Sequence, residues 1–370
     1  MIPLNKPGAI NNWGTTEFSF DQLSQKSELT FLSSAIDGLN LIYKYLKEKK
    51  GSLRVGVSPL TCFQAIYPIV AHGHIPVFID VDEHTFNIDP SKLNKIDAVQ
   101  AIHIGGNPCK MDTIQQWADD NQAIIIEDCA QAMGASFNGK YLGNFGDFSV
   151  FSLVKNLYTP AGGLLISKSP TQNYNLDNPS VSWKIYKSIK YSIEKKCSFQ
   201  SIWNPIYFML LNLKGDKAIG SINRPTAYKL PKALIDKSKV SIRYLEEMNS
   251  RRYKNARLFI DSAHEYYIPQ AIQKNGISNY NRVMFYLKGK YAKDEIIKLR
   301  KVGIAANNLL QNYLCGFQEH ISHDTILSRY YEQKKLPIYN ELFPHIITIP
   351  NSPFLSNKEI SHISSCLKRI

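Results

Sequence analysis

The sequence lacks several features that define whole classes of protein. Its six cysteines are scattered and never form a Cys-x-x-Cys pair, which argues against a zinc site and against a disulfide scaffold. It has no run of about 18 apolar residues, no signal-like apolar stretch near its first residues, and no internal repeat. These absences predict a globular protein of the reducing cytoplasm, without a membrane span.

Acidic residues are scarce relative to basic ones. Lysine and arginine number 44 against 31 aspartates and glutamates, so the formal net charge is +13. Such a field favours anionic partners, which include nucleotides, anionic substrates, nucleic acid and acidic lipid headgroups. The charge alone does not choose among them.

The length and the hydrophobic pattern predict two domains. At 370 residues the chain exceeds the usual size of a single core, and we place a large domain at 1–225 and a smaller one at 226–370. Between about 33 and 170, short β runs alternate with amphipathic helical stretches, which predicts an α/β domain with a mostly parallel sheet. The expected helices are 34–47, 62–71 and 111–120, and the expected strands are 53–57, 76–81, 98–104, 123–126, 148–151 and 164–167.

The pattern changes after the last of these strands. A variable segment at about 170–225 is basic and aromatic, and its part 184–196 has a helical period. A long helix over 232–259 follows. A strand at 282–287 and helices at 293–302 and 357–369 then predict an α+β arrangement for the second domain.

The stretch from Ile124 to Gly163 carries the chemistry. An apolar run delivers Glu127 and Asp128 to the end of a strand, and Ser152 and Lys155 follow before a Gly-Gly turn. An electron-sink cofactor needs an anion beside a ring nitrogen, a hydroxyl for a phosphate, and an amine for a Schiff base. The residues therefore predict a pyridoxal 5'-phosphate (PLP) enzyme.

A series of motifs in a fixed order supports this interpretation, and with them the chain resembles the DegT-type (DegT/DnrJ) nucleotide-sugar aminotransferases. The resemblance runs from about Thr30 to the C-terminus and is weak between Pro170 and Asn223. It implies the aspartate aminotransferase fold type I, with a seven-stranded, mostly parallel sheet flanked by helices and a smaller α+β C-terminal domain. The motifs are Pro76–Asp82, Asn87–Pro90, His103–Gly106, Met111-Asp112, Glu127-Asp128-x-x-Gln131 and Gly139-Lys-x-x-Gly143.

The resemblance also implies roles for single residues. Lys155 matches the family's Schiff-base lysine and, as the catalytic residue, moves the proton. Asp128 matches the aspartate that pairs with the pyridine nitrogen, although an aspartate at a strand end also commonly caps the next helix. Gln131 matches the contact to the phenolic oxygen, and Ser152 matches a phosphate-binding serine.

Three positions depart from the family's pattern. Ser34-Ala35-Ile36 replaces Ser-Gly-Thr before the first helix, which keeps the backbone N–H groups for phosphate and loses a hydroxyl that Ser33 or Ser34 would have to replace. Cys62 stands where an aromatic residue commonly stacks on the ring. Lys229 stands where the family has an arginine, so it would meet a phosphate from the neighbouring subunit as a point charge.

These matches imply a homodimeric aminotransferase with shared active sites. Glutamate or glutamine would donate an amino group, and a keto sugar on a nucleotide would accept it, in surface polysaccharide or glycan synthesis. The nine histidines form no pattern of metal ligands, so we predict no metal. His103 is the only histidine that we expect near the cofactor.

Other interpretations remain open at this stage. A dehydratase of the same family would use histidine in place of the Schiff-base lysine, and a non-catalytic binding protein would keep the fold after losing phosphate contacts. Nucleic-acid binding rests on charge alone, and we predict none. The stretch Lys184–Leu213 would suit an anionic membrane or a lipid-linked substrate, although such segments more often pack on their own domain or on a dimer mate.

Overall fold

A computed structural model describes residues 1–3, 6–10, 13–24, 28–168, 174, 176–197, 227–308 and 321–368. Its helices are α1 (Asp21–Ser24), α2 (Ala35–Lys50), α3 (Phe63–Ala71), α4 (Met111–Asn121), α5 (Leu153–Asn156), α6 (Val181–Lys196), α7 (Lys232–Ser241), α8 (Leu245–Ser262), α9 (Ala292–Lys301), α10 (Pro337–Leu342) and α11 (Asn357–Lys368). Among the described residues, no helix is both long and apolar enough to cross a membrane.

Seven strands form the main sheet. They are β1 (Glu28–Leu32), β2 (Arg54–Val57), β3 (Ile75–Phe78), β4 (Ala98–Ile102), β5 (Ile124–Asp128), β8 (Phe148–Ser152) and β9 (Gly163–Ser167). Their order across the sheet is β1-β9-β8-β5-β4-β2-β3. Only β9 pairs antiparallel to its neighbours β1 and β8, so the prediction of a seven-stranded, mostly parallel sheet is confirmed.

The sheet separates two apolar cores because side chains alternate along each strand. On β5, for example, Ile126 joins the core that contains α2 and α3, whereas Ile125 joins the core that contains α4. Helices therefore cover both faces, and the ends of β4, β5 and β8 lie at one edge. That edge is where open parallel sheets bind ligands.

A second, smaller sheet follows in the C-terminal part of the chain. Strands β10 (Tyr267–Pro269), β12 (Arg282–Leu287) and β13 (Ile346–Pro350) form an antiparallel sheet in the order β10-β12-β13. Residues of α8, α9 and α11 pack with it in a third core. The predicted boundary between residues 225 and 226 lies outside the described residues, so the division into two domains stays a prediction.

A third sheet joins the two parts of the chain. Strand β11 (Gly276–Ile277) pairs antiparallel with β6 (Ser136–Phe137), which itself pairs with β7 (Lys140–Tyr141). The side chains of Gln270 and Asn107 reinforce the contact, since each donates to a backbone carbonyl oxygen on the other side. The loop that follows Asp128 is thus tied to the C-terminal part.

The basic segment begins as a helix with two different faces. Trp183 of α6 packs against the core of the main sheet, while Val181, Ile185 and Ile189 are exposed. The expected helical period over 184–196 is confirmed. Most of the remainder of Lys184–Leu213 lies outside the described residues, so membrane contact stays a prediction.

Candidate active site

Asp128 ends β5 at the centre of the main sheet. Its Oδ1 accepts a hydrogen bond from the backbone N–H of Ala130 at 3.0 Å, and its Oδ2 accepts one from Nε2 of Gln100 at 3.3 Å. The side chain is 5% exposed. Burial raises the pKa of Asp128, while the hydrogen bond from Ala130 and the positive charge of Lys155 act to lower it. The positive charge of Lys155, the predicted Schiff-base lysine, therefore favours the ionised form of Asp128, the predicted partner of the ring nitrogen.

Glu127 is a structural carboxylate. Its Oε1 accepts hydrogen bonds from the N–H groups of Phe145 and Gly146 at 2.7 Å, and its Oε2 accepts one from Gly143 at 2.9 Å. Burial acts to raise its pKa, but His103 and these amides lower it below the ordinary value. The two neighbouring carboxylates therefore have different roles. Among the described residues, the oxygens of Glu127 accept several hydrogen bonds from its own loop, whereas Asp128 accepts fewer and keeps acceptor positions at the sheet edge.

Lys155 lies in a four-residue helix directly after β8. Ser152 caps this helix, because its Oγ accepts from the backbone N–H of Lys155 at 3.4 Å. Nδ2 of Asn156 donates to the carbonyl oxygens of Ser152 at 2.8 Å and Ala130 at 3.0 Å. These two bonds hold the lysine turn against the segment that follows Asp128.

The N-terminus of α2 reaches the same place through Gly163. Gly163 pairs with Ser152 across β8 and β9. An added Cβ on Gly163 would lie 2.2 Å from the carbonyl carbon of Ser34 and 2.4 Å from the nitrogen of Ala35. The contact requires glycine, and it brings the predicted phosphate-binding residues Ser34, Ala35 and Ile36 beside Ser152.

A carboxylate occupies part of this helix N-terminus. Asp37 accepts a hydrogen bond from the hydroxyl of Ser33, and the nearby backbone amides of Ser34 and Tyr228 act to lower its pKa. Oγ of Ser34 accepts from the N–H of Asp37 at 3.2 Å, so Ser34 is the N-cap of α2. Burial raises the pKa of Asp37 to about 6. Both serines proposed to replace the lost threonine hydroxyl are therefore bonded to Asp37.

The other predicted residues take separate positions. Oε1 of Gln131 accepts from the N–H of Gly105 at 3.1 Å, and Cys62 precedes the first turn of α3. Lys229 is exposed and forms a bridge with Leu32, two residues before Ser34, within the same chain. The roles predicted for Gln131, Cys62 and Lys229 stay predictions.

His103 lies inside the core. Its Nδ1 accepts from the N–H of Cys109 at 3.0 Å, so Nε2 carries the proton and faces Glu127 at 3.4 Å. His103, Glu127 and Cys129 place potential ligand atoms within 4.8 Å of one another. Because backbone amides occupy the oxygens of Glu127 and burial raises the pKa of the Cys129 thiol well above its ordinary value, these contacts are typical of a folded core.

Two polar side chains near the site were not anticipated from the sequence. Gln100 contacts Asp128, and Arg252, fully buried in α8, donates to the carbonyl oxygens of Lys155 and Asn156. The sequence does contain an indication for Gln100, because it is the one polar side chain in the otherwise apolar strand 98–102. The sequence contains no such indication for Arg252, because two consecutive arginines on a polar helix usually face solvent.

Comparison with known proteins gives these positions a context. The model of the DegT/DnrJ/EryC1/StrS aminotransferase family matches residues 14–182. A GDP-perosamine synthase of Escherichia coli O157:H7 is 32% identical over 162 residues, which cover 42% of this chain and 44% of that protein. A dTDP-3-amino-3,6-dideoxy-alpha-D-galactopyranose transaminase of Aneurinibacillus thermoaerophilus is 36% identical over 126 residues, which cover 33% and 34%. The chain thus spans less than half the length of these relatives.

The fold itself is similar over a longer range. The structure of the aminotransferase TlmJ from Streptoalloteichus hindustanus superposes with a TM-score of 0.72 at 18% identity, covering 100% of this chain and 98% of that one. This likeness confirms the predicted fold class. The family match ends at residue 182, so the sequence resemblance predicted beyond it lies outside the match.

Proposed function

We propose that the chain is a pyridoxal-phosphate-dependent aminotransferase of the DegT/DnrJ/EryC1/StrS family, whose model matches residues 14–182. The observation that carries the proposal is the convergence of Asp128, Lys155 and the N-terminus of α2 at one sheet edge. The donor set fits the cofactor: an anion for a ring nitrogen, an amine for an aldehyde, and N–H groups with a hydroxyl for a phosphate.

Pyridoxal phosphate, when bound, supplies an aldehyde and an electron-withdrawing ring. In the proposed site, the carboxylate of Asp128 keeps a proton on the ring nitrogen. The first N–H groups of α2 and the hydroxyl of Ser152 bind the phosphate, because such amides have no acceptor within their own helix. Nζ of Lys155 would hold the cofactor through its aldehyde and would supply the amine that takes and returns a proton.

The proposed substrates follow from the relatives and from charge. The two curated relatives bear the names of a GDP-sugar synthase and a dTDP-sugar transaminase, so we propose a keto sugar carried on a nucleoside diphosphate as the acceptor. A net charge of +13 suits such an anionic substrate. Glutamate or glutamine is the proposed donor, and surface polysaccharide or glycan synthesis the proposed use.

We also propose a homodimer in the cytoplasm, with Lys229 of each subunit at the partner's phosphate. The exposure of Lys229 supports this assignment, because an exposed side chain is accessible to a neighbouring subunit. Sedimentation of the purified protein measures the dimer. Mixing Asp128→Ala with Lys229→Ala subunits tests whether sites are shared, because a shared site restores part of the activity in the mixed dimer.

The test of the cofactor is spectroscopic. The protein mixed with pyridoxal phosphate is expected to show the visible band of a lysine-bound cofactor, and borohydride is expected to fix the cofactor on Lys155, as located by peptide mass spectrometry. Lys155→Ala removes the adduct. The matched control is Lys168→Ala, an exposed lysine just beyond β9, which leaves it unchanged. An adduct on another lysine, or no adduct, contradicts the proposal.

A second measurement distinguishes the rival reactions. Addition of glutamate or glutamine to the loaded protein is expected to bleach the visible band, because the amino group moves to the cofactor. A pure binding protein keeps the band. Incubation of the aminated form with a panel of keto sugar nucleotides then identifies the acceptor, as the sugar that restores the band.

A further inference from the structure

Gln100 has an unusual position for an amide. It lies in the middle of β4, where all five residues are buried, and its own side chain is 0% exposed. Burying an amide among apolar side chains is unfavourable unless every polar atom finds a partner. Each polar atom of Gln100 has one: Nε2 donates to the carbonyl oxygen of Ala65 at 3.1 Å and to Oδ2 of Asp128 at 3.3 Å, and Oε1 accepts from the hydroxyl of Tyr43 at 2.5 Å.

The contacts fix which way the amide faces. The carbonyl oxygen of Ala65 can only accept, so the NH₂ group must lie on its side. The second hydrogen of the same NH₂ group is then directed at Asp128. The oxygen is left for Tyr43, whose hydroxyl can only be a donor there.

Tyr43 makes this arrangement stable. It is fully buried, and burial, together with the charge of Asp128, raises the pKa of its hydroxyl well above the ordinary value. The hydroxyl therefore keeps its proton and stays a donor. Because Tyr43 belongs to α2, the chain of contacts from Tyr43 through Gln100 to Asp128 connects the helix proposed to bind phosphate with the carboxylate proposed to bind the ring.

We propose that Gln100, oriented by Tyr43, is a positioning residue that aims the Asp128 carboxylate at the cofactor's ring nitrogen and keeps that carboxylate ionised. The proposal rests on the proposed function. Within the part of the chain that the structure describes, Asp128 accepts hydrogen bonds from Gln100 and from Ala130, and the proposal gives the first of them this positioning role. A carboxylate has further acceptor positions, which the ring nitrogen can use.

The test uses the loaded protein and three readouts: the dissociation constant for pyridoxal phosphate, the pH midpoint of the bound cofactor's absorbance, and the unfolding of the protein without cofactor. Gln100→Leu is expected to weaken cofactor binding about tenfold or more, because a hydrogen bond to a charged group is lost. It is expected to move the absorbance midpoint to higher pH. A less stable carboxylate holds the ring proton less firmly, and a ring with less positive charge makes the nitrogen that links Lys155 to the cofactor more basic.

Tyr43→Phe is expected to move both quantities in the same direction by a smaller amount, because Ala65 still holds the amide. This variant removes only the hydroxyl oxygen and keeps the aromatic side chain of residue 43 in the core. It therefore tests the proposal even if Gln100→Leu fails to fold. The matched control is Tyr267→Phe. Tyr267 is also buried and donates to a carboxylate, Glu295, at 2.7 Å, but it lies in the C-terminal sheet.

The outcomes distinguish a failure of the proposed function from a failure of the role proposed for Gln100. If wild-type protein binds no pyridoxal phosphate, the proposed function fails. If wild-type protein binds it and Gln100→Leu lowers only the unfolding free energy, leaving the absorbance midpoint and the dissociation constant unchanged, then Gln100 is merely structural and the inference is overturned. A shift in Gln100→Leu and Tyr43→Phe that Tyr267→Phe does not share supports it.

Discussion

The guanidinium of Arg252 donates from Nη2 to the carbonyl oxygen of Asn156 at 2.9 Å, across 96 residues of sequence. The same nitrogen approaches the carbonyl oxygen of Lys155 at 3.4 Å, and Nδ2 of Asn281 reaches that oxygen at 2.9 Å. Arg252 is fully buried, and within the described part of the chain its guanidinium also donates to the neutral side chains of Tyr158 and Asn249. A buried charge thus holds the end of the helix that carries the proposed catalytic lysine.

We therefore expect Arg252→Leu to lower the free energy of unfolding by about 3 kcal/mol or more, because four charge-assisted hydrogen bonds are lost, two of them to backbone carbonyl oxygens. The milder Arg252→Lys is expected to fold and to slow formation of the borohydride-fixed adduct. The control is the adjacent Arg251→Lys, whose partner Glu247 is a half-exposed i,i+4 contact worth about 0.5 kcal/mol. Urea unfolding measures the first quantity, and equal losses at both positions contradict the expectation.

Asp37 predicts a pH dependence of stability. Its pKa is about 6 in the folded protein against an ordinary value of 3.8, so the folded state binds the proton more tightly. Stability from this group is complete below about pH 4 and is lost as the pH rises through about 6. Because each pH unit in that window is worth about 1.4 kcal/mol, the loss approaches about 3 kcal/mol.

The variant Asp37→Asn checks this dependence. It cannot ionise, so its free energy of unfolding is expected to fall less than that of the wild type between pH 4 and pH 6. Asp112→Asn is the control, since Asp112 is an exposed aspartate in the first turn of α4. Urea unfolding at a series of pH values gives both curves, and parallel curves for Asp37→Asn and wild type would contradict the assignment.

Gly163→Ala tests the close approach of α2 to Gly163, the first residue of β9. The new Cβ would lie 2.2 Å from a backbone atom of Ser34, and backbone cannot rotate away as a flexible side chain does. We expect α2 to be displaced, with a loss of about 1–3 kcal/mol in the free energy of unfolding and weaker binding of the cofactor phosphate. Gly14→Ala is the control, because an added Cβ there meets no atom within 4 Å. Similar stability of the two variants would refute the close approach.

Glu127→Gln tests the distinction between the two neighbouring carboxylates. The new NH₂ group would face backbone N–H donors, so we expect a loss of about 3 kcal/mol. The pKa of Glu127 is lowered, so this residue's stabilisation is present above the unfolded pKa and is lost as the pH falls, opposite to Asp37. Glu332→Gln, at an exposed ion pair with Lys335, is the control and should change little. A neutral effect at Glu127 would exclude the structural role.

Much of the fold could be predicted from the sequence because its periodic elements are strongly patterned. The helix expected at 62–71 is Phe63–Ala71, and the strand expected at 282–287 is Arg282–Leu287. The expected long helix 232–259 is instead two helices separated by a 3-10 turn at Ile242–Tyr244. A short change in backbone winding leaves the apolar pattern almost unaltered, so periodicity does not reveal it.

Contacts between distant segments were harder to predict. Asp80, which follows an apolar run just as Asp128 does, accepts hydrogen bonds from the N–H groups of Ile338 and Tyr339 and so caps α10. No local pattern pairs residue 80 with residue 339. The same holds for Arg252, whose partners lie on a turn almost a hundred residues earlier, and for the sheet between β6 and β11.

That small sheet bears on how the protein can respond to an occupied site. Strand β6 begins five residues after Gln131, and its backbone is hydrogen-bonded to Gly276–Ile277. A movement of the C-terminal part would therefore either move the loop between Gln131 and β6 as well or break the hydrogen bonds between β6 and β11. Adjustment to the proposed sugar substrate would therefore come from rotation of side chains on a rigid backbone, with no hinge opening.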